Sequence, residues 1–176
     1  MIRRTVLLTF AAGLATIGYS TFLASNQFVL AADENEAVLI KSLSNAKVSL
    51  QQGLMASERE GRPISGKFEA EESNFQLSVY TSKEGKFFEV IVDHMAGAIA
   101  KVEPITEGDD LTHAKSQKAA MDKAKVKLAD AAAKAKGQAG EVIVVSATPQ
   151  LKGGRPVASI VLLKGERLST VSEPLD

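Results

Sequence analysis

The sequence predicts an α+β fold built from helix-plus-antiparallel-sheet units. Stretches with helical hydrophobic spacing are followed by stretches in which apolar and polar residues alternate, and Gly- or Pro-containing breaks separate the strands. Glu34 to Leu43 reads as a short helix with Val38, Leu39 and Leu43 apolar. Ser49 with Gln52 three residues later is a capping box, so a helix starts at Leu50 and ends before Gly61, closed by Arg62-Pro63. From Ser65 to Lys101 the period becomes two. Phe68 and Ala70 alternate with Lys67, Glu69 and Glu71, and Phe75, Leu77 and Val79 alternate with Gln76, Ser78 and Tyr80.

Lys83-Glu84-Gly85-Lys86 sits where a hairpin turn belongs. Phe87 to Val92 is a stronger strand, with Phe88, Val90 and Val92 expected to face the core, and after a turn at Asp93 to Gly97 a short strand covers Ala98 to Val102. Glu103 to Asp110, with Pro104 and Gly108, reads as a connection. Leu111 to Lys136 is expected as one Ala- and Lys-rich helix with Met121, Ala124, Leu128, Ala131 and Ala135 on one face, stopped by Gly137 and Gly140. Strands follow at Glu141 to Ala147 and Arg155 to Leu163, divided by Pro149 to Gly154, with a last one at Arg167 to Ser172.

The chain also echoes itself. Lys47-Val48-Ser49-Leu50 is matched by Lys125-Val126-Lys127-Leu128, and residues 88–104 by residues 157–174, both ending in Glu-Pro. The offset is 78 residues at the helices and 70 at the Glu-Pro ends, consistent with a small deletion in the second copy.

Residues 47–104 resemble a PepSY domain, a small module of exported bacterial proteins and of the propeptides of some secreted metallopeptidases. The anchors are Val48-Ser49-Leu50, Phe88-Glu89-Val90, Val92-Asp93 and Gly97. The second copy departs from the family pattern, with Leu162 or Leu163 in place of Asp93 and a shorter turn. The resemblance implies two repeats, each a helix packed on one face of an antiparallel sheet, an extracytoplasmic setting and a binding or inhibitory role. It implies no enzymatic activity. The organisation expected is a signal peptide over 1–31, a helical lead-in over 32–46, repeat one over 47–104, a linker over 105–110 and a diverged repeat two over 111–176.

The N-terminus supplies the compartment. Arg3-Arg4 precedes an apolar run from Thr5 to about Leu23, Asp, Glu, Lys and Arg do not recur until Asp33, and the small residues Ala31 and Ala32 suit a cleavage site. The run is also close to the roughly 20 residues that span a bilayer, so an uncleaved anchor is the alternative. Arg3-Arg4 is an incomplete match to a twin-arginine signal. Each reading places the rest of the chain in the periplasm or outside the cell, with a membrane contact only through the uncleaved segment.

The 21 basic residues equal the 21 acidic ones, so no net field gathers nucleic acid. Cysteine is absent, which removes disulfides, thiolate metal sites and cysteine nucleophiles. His94 falls in a turn, where a solvated ring is expected, and His113 shares a helical face with Asp110. Two ligands are too few for a dedicated metal site, and helix capping is the expected use of Asp110 or Thr112. Gly153-Gly154 lacks the Lys-Ser/Thr of a phosphate loop, and no G-x-S-x-G or H-E-x-x-H occurs.

Glu69, Glu71 and Glu72 read as a solvated outer strand face. Lys115, Lys118, Lys123, Lys125, Lys127, Lys134 and Lys136 read as the solvated face of a helix packed on the sheet. No catalytic, cofactor-binding or metal residue is assigned, and neither histidine is expected to be required. The expectation is a non-catalytic module that recognises or restrains another envelope protein such as a peptidase, with a small-ligand or metal-responsive envelope sensor as the alternative.

Overall fold

The capping box does what its sequence implies. Ser49 Oγ accepts from the Gln52 amide at 3.3 Å and Gln52 Oε1 accepts from the Ser49 amide at 2.8 Å, starting a helix at Leu50. The computed structural model describes residues 34–71 and 74–176, and the signal or anchor segment expected over 1–31 lies outside them. The elements in order are α1 (Glu34–Leu43), α2 (Leu50–Ser57), β1 (Arg62–Glu71), β2 (Asn74–Lys83), β3 (Lys86–Val92), β4 (Ile99–Ile105), α3 (Gly108–Lys123), α4 (Leu128–Ala139), β5 (Ile143–Lys152), β6 (Arg155–Lys164) and β7 (Arg167–Pro174).

The seven strands form one antiparallel sheet in the order β4-β3-β2-β1-β5-β6-β7, so β4 and β7 are its edges. The halves meet where Gly66 pairs with Ala147 and Lys67 with Ser146. Through this junction one row of paired residues crosses the whole sheet: Val102, Val90, Val79, Gly66, Ala147, Ile160 and Val171. The five inner members are buried, which makes the two halves one core. Helix α2 lies on this face, where Leu50 and Leu54 rest over Gly66 and Gly53 sits against Leu77. Small residues allow that approach. Helix α4 packs beside α2 and over β5, β6 and β7, burying Leu128, Ala129, Ala131, Ala132 and Ala135. Helix α3 lies against β5, β6, β1 and β2.

Tight turns set the register. Glu84 and Gly85, with φ of 53° and 76°, connect the paired residues Lys83 and Lys86. Gly153 and Gly154, with φ of 59° and 79°, do the same between Lys152 and Arg155. Two successive positive φ angles form the hairpin turn whose twist matches the flanking strands.

Several local expectations are corrected. The divide between β5 and β6 shrinks from Pro149–Gly154 to the two glycines, because Pro149 to Lys152 pair with Ala158 to Arg155. The connection expected from Glu103 begins later, since Pro104 and Ile105 belong to β4, paired with Phe88 and Phe87. An edge strand tolerates a proline because one side of its ladder is free. The strand after α2 starts at Arg62 rather than Ser65, while α2 ends at Ser57, before Gly61 as expected.

The long helix expected over Leu111 to Lys136 is two helices. Ala124 is extended, with φ −76° and ψ 138°, and the amides of Lys125 and Val126 both donate to the Leu175 carbonyl, at 2.6 and 3.0 Å. A tertiary hydrogen-bond pair overrides local propensity there. The same device recurs in the first half, where the Lys47 and Val48 amides both donate to the His94 carbonyl at 3.0 Å. Gly137 lies inside α4, and Gly140, at φ 80°, caps it.

Val90 and Val92 are fully buried, as their alternation in β3 demands. Phe88, on the same side and paired with Pro104, is only half-buried, while Phe87 on the other side is buried.

Candidate functional site

Alternation along β1, β2 and β3 sends Lys67, Glu69, Gln76, Ser78, Tyr80 and Glu89 to the side opposite Phe68, Leu77, Val79 and Val90. These side chains satisfy one another. Gln76 Nε2 donates to Glu69 Oε1 at 2.8 Å, Lys67 ion-pairs with Glu69, and Ser78 Oγ donates to Glu89 Oε1 at 2.7 Å. Tyr80 OH donates to Asp110 Oδ1 of α3 at 2.8 Å. Ser65 Oγ donates to Gln117 Oε1 at 2.8 Å and Arg62 donates to the Met121 carbonyl at 2.6 Å, so three contacts from β1 and β2 fasten α3.

Burial pushes Glu89 above the usual carboxylate range. Glu69 and Asp110 reinforce the shift by repulsion, against the Ser78 hydrogen bond and the Lys67 charge. Burial, then the Asp110 hydrogen bond and charge, keeps the Tyr80 phenol protonated. Folding raises the affinity of Glu89 for its proton, so the folded state binds more protons than the unfolded one above the ordinary Glu value of 4.5. Stability therefore falls as pH rises through that value and upward. The expected result for Glu89→Gln is a higher melting temperature than the parent at pH 8, with the difference shrinking as the pH approaches 4. A pH-independent difference would contradict the assignment.

The residues singled out by sequence have other engagements. His94 is half-buried, with its ring edge-on to Phe75 at 4.8 Å between centroids, rather than a solvated tip. It sits in a turn closed by Asp93, whose Oδ1 accepts from the Met95 and Ala96 amides at 2.7 and 3.0 Å. Those hydrogen bonds hold the Asp93 carboxyl below its ordinary range.

His113 is half-buried on α3, but Asp110 is committed to Tyr80, and the N-cap is Glu107 with no side-chain cap bond. The capping role expected of Asp110 or Thr112 is not taken; Thr112 Oγ1 donates instead to the Gly108 carbonyl at 3.3 Å. Among the described residues no group of three His, Asp or Glu is arranged to hold a metal ion.

Glu69 is more sheltered than a solvated outer face implies, and Glu72 lies outside the described residues. The lysines are divided between α3, the extended link and α4. Lys118 pairs with Asp122, Lys127 with Glu58 and Lys134 with the buried Glu173, while Lys123 donates to the Gly154 carbonyl.

The edges differ in character. β4 exposes Val102, at 38%, but carries Pro104 and a Lys101–Glu103 ion pair at 2.9 Å, features that discourage strand addition. β7 exposes Ser169, Thr170 and Ser172 and has no proline before Pro174. Among the described residues, no helix is long and apolar enough to cross a membrane.

Comparison with family models, with curated proteins and with solved structures returns no match for this chain.

Proposed function

We propose that this chain is an exported, non-catalytic binding module of PepSY-like build, which recognises or restrains another envelope protein, a peptidase being the partner class the family resemblance suggests. The observation that carries the reading is the open edge of β7, a row of small polar residues at the end of a seven-stranded sheet. An extended segment of a partner adds to such an edge through main-chain hydrogen bonds, with alternate side chains supplying specificity. The basic N-terminus and apolar run support export.

Two repeats suit the arrangement. Each half runs helix, helix and three consecutive strands, with β4 as an addition to the first, and each closes with one carbonyl accepting two amides ahead of its second helix. The sequence match of residues 88–104 to 157–174 sets the strands one place differently, β3-β4 against β6-β7.

The test is capture of a partner from envelope extract by the mature chain, with zinc or a chelator added in parallel. Enrichment of a protein that is indifferent to both supports the reading. Capture that depends on zinc, or that is lost in a folded His94→Ala, His113→Ala variant, would favour the metal-responsive sensor instead.

A further inference from the structure

The first half meets the second at one further place, a cleft of about 350 Å³ between the segment joining α1 to α2, the start of β5 and the middle of α4. Its floor includes the buried side chains of Leu43, Leu50, Phe68 and Val144. Two exposed lysines, Lys47 and Lys136, belong to the lining. Lys134, two residues from Lys136, is neutralised by Glu173, whereas neither lining lysine has a carboxylate within ion-pair reach among the described residues.

The cleft therefore combines an apolar floor with unopposed positive charge. Its volume sits at the low end of small-molecule sites, which span about 300–1,000 Å³. An occupant complementary in size and charge has an apolar body and one anionic head.

We infer that this cleft binds a small amphipathic carboxylate, with the apolar part against Phe68 and Val144 and the carboxylate between Lys47 and Lys136. The site is separate from the β7 edge, so it stands or falls independently of the protein-binding reading.

The probe is sodium decanoate labelled with ¹³C at the carboxyl carbon, titrated into the isolated protein and followed by NMR, with decanol as the uncharged analogue. The expected result is saturable one-to-one binding, weakened by about tenfold or more in Lys47→Ala, Lys136→Ala and unchanged in Lys115→Ala, Lys164→Ala, which removes exposed lysines elsewhere. Decanol should bind more weakly than decanoate. A third variant, Ala133→Leu, keeps both lysines but narrows the cleft, and it should lower affinity while the circular dichroism spectrum stays that of the parent. Absence of saturable binding, or equal affinity in the parent and in both cleft variants, would overturn the inference.

Discussion

Replacing Val90 by Asp should cost at least about 3 kcal/mol of stability, because the new carboxyl enters the buried row with no partner for its charge. Val90 is 0% exposed and is flanked by Val79 of β2 and Val102 of β4. Both outcomes open to the side chain are costly, since the carboxyl either ionises without water or stays protonated at neutral pH against its ordinary pKa. For a domain of this size the loss corresponds to a fall of roughly 6–12 °C in melting temperature. A value within a degree or two of the parent would remove β3 from the core.

The second large effect is at Gly53, where α2 touches β2. A Cβ built there overlaps Leu77 Cδ2 and stands 3.1 Å from Leu77 Cγ, and Leu77 is itself fully buried in a close-packed core. Gly53→Val should destabilise the fold by about 2–3 kcal/mol through overpacking. Gly53→Ala should cost less, because a gain in helix propensity of up to about 1 kcal/mol offsets part of the overlap. Thermal or urea denaturation of the two variants reads the order directly. A more stable Gly53→Val variant would show that α2 does not lie this close to the sheet.

What was legible in the sequence was local. Ser49 and Gln52 are three residues apart and their capping box needs nothing else, and Glu84-Gly85 forms its turn between two alternating runs. Val90 and Val92 were readable because period-two alternation assigns a face without reference to any other strand. The break between α3 and α4 was not, because the Ala- and Lys-rich residues favour helix throughout and the interruption comes from the Leu175 carbonyl, about fifty residues further on. Pro104 misled for the opposite reason. It reads as a breaker in sequence but occupies an edge strand, and only the strand order shows that β4 is an edge.

The site divides in the same way. The polar alternation of Gln76, Ser78 and Tyr80 was visible, but the partner of Tyr80 lies 30 residues away on α3, and the cleft joins segments from both halves. His94 stood out as a titratable ring in a turn, yet its carbonyl and its packing on Phe75 are what the fold uses.

Partner recognition along β7 is the central claim, and its sharpest test uses proline at two adjacent positions, Thr170→Pro and Val171→Pro, measured against the captured partner. Amides alternate along a strand, so one of the two donates to β6 and the other points out from the edge. Proline removes the donor in each case. The account predicts that the variant whose melting temperature falls less, by sparing the β6–β7 ladder, loses partner affinity by about tenfold or more. Unchanged affinity in that folded variant would contradict recognition through the β7 edge.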